Sequence, residues 1–195
     1  MKKHRIGKAF FLLGILLFAA TGCSGTGKTE EEKQQKEEET LVVDEDLYIL
    51  LNCNQETNKV FLENYQTGLQ NTFVCNENTT VTDRSGEETT VESLPIGELV
   101  KISYTQEEEL ISAAVSSDTF CQTDVMDYSA DPETYSIVVE GTTYSYNEMT
   151  RIFSDSGVIP LSVLMEREEG DSITVRGCGD EVVTIVLNRQ NESEK

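Results

Sequence analysis

Residues 98–104 read ELVKISY, and their alternation indicates the class of the fold. Val100, Ile102 and Tyr104 are apolar, and the two residues between them are a lysine and a serine. A period of two places the apolar side chains on one face of an extended chain. This stretch therefore predicts a half-buried β-strand.

Similar short runs lie on both sides of this strand, separated by polar or glycine-bearing turns. They are rich in the β-branched and aromatic residues that strands favour, and they read LYILLNC, KVFLENY, NTFVC, LISAAVS, YSIVVEG, TTYSYN, MTRIFSD, DSITVRG and EVVTIVLN. The run IVVEGTTYSY predicts a hairpin around Glu140-Gly141. One short helix is expected, at 146–153 or around 161–166. The pattern as a whole predicts an all-β protein.

The two halves of the chain share an approximate repeat. Residues 85–104 and residues 156–177 both run from a Ser-Gly turn to a glycine, an acidic residue and an alternating strand. Gly97-Glu98 in the first copy corresponds to Gly170-Asp171 in the second. A chance similarity of turn sequences is the alternative interpretation. The repeat favours two small tandem antiparallel β modules, built as curved sheets or small barrels.

The composition divides the chain into six expected segments. Asp131-Pro132 marks a turn between the two halves. The segments are a signal peptide (1–22), a lipid anchor with an acidic disordered linker (23–46), β module 1 (47–118), a connector (119–134), β module 2 (135–190) and a polar tail (191–195).

The N-terminus has the architecture of a secretory signal. A basic stretch precedes apolar residues 9–20, which are too few to span a membrane as a helix. The following segment AATGC resembles the lipobox of bacterial lipoproteins, although Ala20 stands where leucine is usual. The resemblance implies cleavage between Gly22 and Cys23, a diacylglyceryl group on the Cys23 sulfur, and location on the extracytoplasmic side of the cell membrane. An ordinary secretory signal or an uncleaved anchor is the alternative.

Residues 22–29, GCSGTGKT, also fit the phosphate-binding pattern G-x-x-x-x-G-K-[ST]. A P-loop needs a helix that packs on a sheet directly after the motif. The sequence that follows, TEEEKQQKEEET, has no apolar residue for such packing. Cleavage before Cys23 would also remove the first glycine of the motif. We therefore expect no nucleotide partner.

The acidic balance of the chain bears on its partners. Residues 24–46 hold nine acidic residues and three lysines, a composition typical of a disordered spacer. Removal of residues 1–22 takes the formal charge from −21 to −25. A chain this acidic repels nucleic acid, so we expect no nucleic-acid partner. The acidity favours solubility of an exported domain, with weak attraction for cations or basic polymers as the alternative.

The residue types also limit the chemistry. The only histidine, His4, lies in the signal segment. The mature chain therefore has no histidine for a catalytic triad or a metal site. Acidic runs such as 107–109 and 168–169 are typical of solvated surfaces rather than of paired catalytic carboxylates. We expect no catalytic residue, no metal ligand and no cofactor.

Four cysteines besides Cys23 are widely spaced and form no C-x-x-C motif. An even number in an exported protein is compatible with two disulfides in any of three pairings. Small buried thiols are the alternative. The residues are Cys53, Cys75, Cys121 and Cys178.

The C-terminal part, residues 136–189, resembles the region that precedes PEGA domains in lipoproteins of anaerobic Gram-positive bacteria. The similarity consists of an I-x-V-x-G-x-x-Y hairpin, a G-D-x-I-T-V-x-G strand and a final I-x-V-like strand. The matching residues are Ile137, Val139, Gly141, Tyr144, Gly170, Asp171, Ile173, Thr174, Val175, Gly177, Ile185 and Leu187. No PEGA domain follows in this sequence. The resemblance implies an envelope lipoprotein with all-β modules and no known catalytic residues.

These observations predict a lipid-anchored extracytoplasmic envelope protein that is not an enzyme. It would act as a binding or scaffolding module, attached to the membrane through Cys23, with an envelope protein or a cell-wall polymer as partner. Two alternatives belong to other classes. One is a lipoprotein that binds a small ligand or a metal ion, and the other is a cell-wall glycan hydrolase that uses carboxylates alone.

Overall fold

The computed structural model describes residues 40–189, which belong to a single compact unit. The predicted signal peptide, the cleavage site Gly22-Cys23, the linker up to residue 39 and the tail from residue 190 lie outside the described residues. The predictions made for those segments therefore stay predictions.

The described part of the chain is almost entirely β, as the alternation predicts. It forms fifteen strands in two sheets, a 3-10 turn at Val91–Ser93 and one short helix, α1, at Ser162–Met165. The helix confirms the second of the two positions expected from the sequence. The other position, 146–153, ends in a strand instead. Over the described residues, neither sheet closes into a barrel.

Sheet 1 contains the first seven strands in the order β3-β2-β1-β6-β7-β4-β5. Its pairs are antiparallel except for β4 with β7. The strands are β1 (Leu41–Asn54), β2 (Lys59–Asn64), β3 (Gln70–Val74), β4 (Thr80–Thr82), β5 (Glu88–Thr89), β6 (Leu99–Thr105) and β7 (Leu110–Val115).

Sheet 2 contains the remaining strands and is built around the last one. One edge of β15 pairs with β14, which also pairs with β8, and β15 pairs in parallel with both β11 and β12. The strands are β8 (Thr119–Val125), β9 (Tyr128–Asp131), β10 (Ser136–Val139), β11 (Thr142–Ser145), β12 (Arg151–Ser154), β13 (Gly157–Val158), β14 (Ser172–Cys178) and β15 (Glu181–Asn188).

Two segments differ from the expected boundaries. Residues 119–134, expected as a connector, supply β8 and β9 to sheet 2. Residues 41–46, expected in the disordered linker, are the first part of β1 and pair with β6. Both segments carry many exposed side chains. Both are held by backbone pairing to neighbouring strands, and Val125 and Tyr128 of residues 119–134 also enter the core of sheet 2. The polar composition of these segments does not reveal such pairing.

The local turns follow their sequences. Val139 pairs with Thr142 across the hairpin, and both turn residues have positive φ, 49° at Glu140 and 79° at Gly141. This confirms the predicted two-residue turn, which requires positive φ at both positions. The glycines of the internal repeat also lie in turns, with φ of 78° at Gly97 and 96° at Gly170. Each is followed by a buried acidic residue and then by a strand, although the two sheets differ in strand order.

Each sheet has an apolar core of its own, and a third cluster joins them. Over Tyr48–Leu50, β1 is buried on both faces: Tyr48 and Leu50 pack into the core of sheet 1, whereas Ile49 packs against sheet 2. The joining cluster consists of Ile49, Leu99, Phe153 and Val183. Burying these side chains contributes on the order of 1.5–3 kcal/mol each relative to exposure. The two sheets are therefore packed on one another.

A buried ion pair also crosses between the sheets. Glu63 of β2 is 1% exposed, and its Oε1 lies 2.7 Å from Nη2 of Arg151 on β12, without hydrogen-bond geometry. Its Oε2 accepts a hydrogen bond from Gln70 at 3.0 Å. Nearby, the Tyr65 hydroxyl donates to Glu181 at 2.8 Å. These polar contacts thus help to fix the orientation of the two sheets that the apolar cluster holds together.

Candidate functional site

The most unusual side chain of the molecule is Arg176, which is buried in the middle of β14. It lies in the run SITVRGC, where the same face also carries Thr174 two positions earlier. That face packs toward sheet 1. Thr184, the neighbour of Arg176 on β15, donates a hydrogen bond to the Gly97 carbonyl at 2.7 Å. The turn before β6 is thereby fixed against sheet 2.

The next residue of that turn, Glu98, holds Arg176. The Nε of Arg176 donates to Glu98 Oε2 at 3.2 Å, and Nη2 of Arg84 donates to Oε1 at 2.7 Å. The side chains of Arg176 and Glu98 are 5% and 7% exposed, whereas that of Arg84 is 34% exposed. Arg84 also donates to the carbonyl of Thr119 at 2.8 Å. The cluster carries one net positive charge inside the protein.

One nitrogen of this cluster has no partner. Nη1 of Arg176 is buried and makes no hydrogen bond to any described residue. A buried donor without an acceptor costs about 1–3 kcal/mol, and more when it is charged. Few buried polar atoms in folded proteins are left in this state, and a bound water, ion or ligand is a common explanation. The position of Arg176 therefore identifies a place where an acceptor is needed.

Arg176 is also part of the wall of the largest cleft described. The cleft has a volume of about 610 Å³ and lies between the two sheets. Sheet 1 supplies the end of β1 and the turn before β6, and sheet 2 supplies β12 with its following turn, β14 and β15. Its lining residues are Leu51, Asn52, Pro95, Ile96, Phe153, Ser154, Asp155, Ser156, Gly157, Thr174, Arg176, Val186 and Asn188.

The wall of the cleft combines apolar and uncharged polar groups. The hydroxyls of Ser154 and Ser156 lie 2.8 Å apart, and Asn188 is 3.5 Å from the Thr174 hydroxyl. Asp155 is the one acidic residue of the lining and is exposed. Binding sites for small molecules typically have 300–1,000 Å³ and combine apolar walls with a few placed polar groups. The size and lining of this cleft fit that description.

Of the smaller cavities described, one of about 170 Å³ lies beside Cys75 in sheet 1, and two others lie in sheet 2. One of about 200 Å³ borders the same turn, at 154–156, and includes Arg189. The other, of about 280 Å³, is lined by Tyr135, Tyr146 and Val158, among others. Tyr135 and Val158 are exposed apolar residues, and no unpartnered buried donor lies in that wall. The cleft at Arg176 is therefore the stronger candidate for a binding site.

The four cysteines Cys53, Cys75, Cys121 and Cys178 are half-buried free thiols in the structure. Cys53 and Cys75 both pack against the core of sheet 1, and the Cys53 sulfur lies 3.8 Å from a Glu92 carboxylate oxygen. Burial, followed by the Cys53 and Glu92 charges, raises the pKa of Cys75 to about 11. The Cys75 thiol is therefore protonated at neutral pH. The predicted disulfides stay a prediction.

The carboxylates considered for catalysis lie elsewhere. Glu107 and Glu108 are exposed in the turn between β6 and β7, and Glu168 and Glu169 are exposed after α1. None of these residues lines the cleft. Within residues 40–189, no group of three or more histidine, cysteine, aspartate or glutamate residues is arranged to hold a metal ion.

Sequence reasoning missed both Arg176 and Glu98. The alternation of SITVRGC places Arg176 on the polar face of the strand, together with Ser172 and Thr174, and so gives no signal that this face is buried. Glu98 could have been noticed from the repeat, because an acidic residue follows the glycine in both copies. The sequence did not reveal the contact between Glu98 and Arg176, which are 78 positions apart.

No protein-family model matches this chain, and no curated protein sequence matches it significantly. Between residues 40 and 189, no helix has the length and apolar character needed to span a membrane.

Proposed function

We propose that this protein is a lipid-anchored envelope protein on the extracytoplasmic side of the membrane, and that it binds a small ligand without catalysing its reaction. The observation that carries the binding function is the cleft between the sheets, with the unpartnered guanidinium of Arg176 in its wall. Because both sheets line the cleft, their packing on one another forms the proposed binding site.

The anchoring part of the proposal is supported by the sequence. A basic stretch, an apolar stretch and the segment AATGC precede Cys23. Lipid on Cys23 would attach the chain to the membrane, and stable attachment requires two or more acyl chains. The acidic residues that follow would hold the β domain away from an anionic surface. The membrane is thus a partner through the anchor.

The absence of catalysis in the proposal follows from the residue types. The mature chain has no histidine to activate a serine or a cysteine. Hydrolysis of a glycan by carboxylates needs two of them in different environments across the scissile bond. Asp155 is the one acidic residue that lines the cleft. The hydrolase alternative therefore receives no support from the site.

The cleft favours a small ligand over a purely scaffolding function. A scaffold for an envelope protein or a cell-wall polymer would present an exposed surface, whereas the wall of this cleft contains an arginine that lacks an acceptor for one nitrogen. A metal ion is not the ligand that this wall suggests, because Arg176 is a cation. An envelope protein or a cell-wall polymer remains the proposed partner, and it would carry the chemical group that binds in the cleft.

The anchoring proposal is tested by detergent phase partitioning of the full-length protein and of Cys23→Ser. We expect the wild type to enter the detergent phase with an acylated N-terminal Cys23, detected by peptide mass. The variant should remain an unprocessed precursor. Two full-length, water-soluble proteins would contradict the proposal.

The binding proposal is tested by thermal unfolding of the purified protein with a panel of cell-wall fragments, small metabolites and calcium chloride. Ser156→Trp, on the wall of the cleft, should abolish any ligand-induced rise in melting temperature. Ser117→Trp, in the exposed turn between β7 and β8, is the matched control and should preserve it. A panel in which no compound shifts the transition would contradict the binding function.

A further inference from the structure

We infer that the ligand of the cleft carries a carboxylate group and that Arg176 binds it. This inference rests on the proposed binding function and adds the chemical class of the ligand. It is argued from three features of the site: the free edge of the guanidinium, the local charge and the composition of the wall.

The guanidinium of Arg176 is held in a fixed orientation before any ligand binds. Its Nε is engaged by Glu98, and the side chain is packed in β14 with 5% exposure. Glu98 is in turn held by Arg84, 2.7 Å away. The unpartnered Nη1 belongs to the same rigid plane. A planar guanidinium fork matches the geometry of a carboxylate, and a preorganised fork loses little entropy when it binds.

The local charge favours a group with one negative charge. Arg84 and Arg176 flank a single carboxylate, Glu98, so the cluster has one positive charge in excess. Asp155 on the wall of the cleft and the strongly acidic chain would repel a second negative charge. A carboxylate therefore fits this environment better than a phosphate monoester, which carries nearly two charges at neutral pH.

The other residues of the wall indicate the chemistry of the part of the ligand that is attached to the carboxylate. Leu51, Ile96 and Val186 provide apolar contact, and Ser154 and Asn188 provide uncharged donors and acceptors. This combination fits a carboxylate attached to a body that contains an apolar group and an amide or hydroxyl. Such a group has two sources: the carboxyl terminus of a peptide, and a free small organic acid. Both share the carboxylate that Arg176 would bind.

The test is a titration of the purified full-length protein at low salt with matched probes, followed by NMR. The probes are a set of N-acetylated dipeptides with free carboxyl termini, the same dipeptides as C-terminal amides, sodium acetate and sodium phosphate. The Nε–H resonance of Arg176, assigned with the Arg176→Lys variant, reports directly on the site. We expect the free dipeptides to shift this resonance and to bind at least about tenfold more tightly than their amides.

A charge variant on the wall keeps the test valid even if substitution of Arg176 prevents folding. Asn188→Asp adds a negative charge to the cleft and leaves the Arg176–Glu98 pair in place. It should weaken binding of the free dipeptides at least about tenfold. Asn78→Asp makes the same chemical change in an exposed turn outside the cleft. It should leave the affinity within about twofold.

The outcomes separate this inference from the binding function. Equal binding of acids and amides would overturn the carboxylate inference, and so would a site that prefers phosphate. If no acid binds at 10 mM, on the order of the weakest useful affinity, while another compound of the thermal panel does, the inference fails and the binding function stands. Binding of acetate as tight as that of the dipeptides would support the inference and identify a small acid as the source.

Discussion

Two buried ion pairs join the sheets, and the same residue types have different surroundings in each. In one, Glu98 of the turn before β6 meets Arg176 of β14. In the other, Glu63 of β2 meets Arg151 of β12. Each pair contains a buried glutamate from the side of sheet 1 and an arginine from sheet 2. The arginines differ: the side chain of Arg176 is 5% exposed and that of Arg151 is 25% exposed.

This difference distinguishes a structural contact from the proposed binding site. Arg151 reaches the surface, so water can satisfy the nitrogens that Glu63 leaves free. The side chain of Arg176 is only 5% exposed and borders a cleft, and its Nη1 has no partner among the described residues. Burial of a charge is tolerated when its partners are complete and costs stability when they are not. Glu63 Oε1 also lacks hydrogen-bond geometry, but it lies 2.7 Å from the Arg151 cation, whereas Nη1 of Arg176 has no polar partner among the described residues. The Glu98–Arg176 pair, called the incomplete pair below, is therefore the one to which we assign a ligand.

The largest expected effect comes from removing the carboxylate of the incomplete pair. Glu98→Gln leaves Arg176 buried without a counter-charge, and we expect a loss of about 3–5 kcal/mol in the free energy of unfolding. Glu63→Gln is the matched change at the other pair. There we expect about 1–2 kcal/mol, because Arg151 can turn to water. Urea-induced unfolding measures both values, and a larger loss for Glu63→Gln would reverse the assignment of the two pairs.

A smaller effect is expected when both charges of the incomplete pair are removed together. The double variant Glu98→Gln with Arg176→Met should recover at least about half of the stability lost in Glu98→Gln, because no unpaired charge then remains buried. The same urea measurement provides the comparison. The double variant should also bind no carboxylate probe. A loss that merely adds that of Arg176→Met to that of Glu98→Gln would show that the charge is not the cause.

Tyr65, two residues after Glu63, predicts a pH dependence. Burial, then the hydrogen bond to Glu181, raises the pKa of Tyr65 to about 12. The unfolded value is about 10, so the contribution of this group to stability is present below pH 10 and is lost as the pH rises toward 12. Tyr65→Phe should make the fall in melting temperature over this range shallower. Tyr48→Phe, which lies within sheet 1 and also has a pKa of about 12, tests whether the effect is specific to the interface.

The smallest effect concerns a thiol far from either pair. With its pKa raised to about 11, mainly by burial, Cys75 should react with iodoacetamide at pH 8 about a hundredfold more slowly than a cysteine in an unfolded peptide. Peptide mass spectrometry after timed quenching measures the rate. Rapid alkylation would mean that the core of sheet 1 opens at Cys75. No reaction even after unfolding without reductant would instead indicate a disulfide.

Much of the local structure could be predicted from the sequence. The period of two in 98–104 predicted a strand, and β6 occupies most of that stretch. The Glu140-Gly141 pair predicted a hairpin whose turn has positive φ at both residues. These features depend on neighbours along the chain, so the residue types are sufficient to indicate them. The strand at 119–125 was missed because its polar residues, Gln122, Thr123 and Asp124, are typical of a connector, although it pairs with β14 and buries Val125 in the core of sheet 2.

The candidate site is a different case. Residue types alone predicted an export signal over residues 1–22, before Cys23, and a mature chain without histidine-based chemistry. They did not indicate that Glu98 and Arg176, 78 positions apart, would share one buried cluster, or that one nitrogen would remain unpartnered beside a cleft. Local backbone preferences act over a few residues, so the neighbouring residue types are enough to predict them. The environment of a buried charge depends on which strands pack together, and only the tertiary structure decides that.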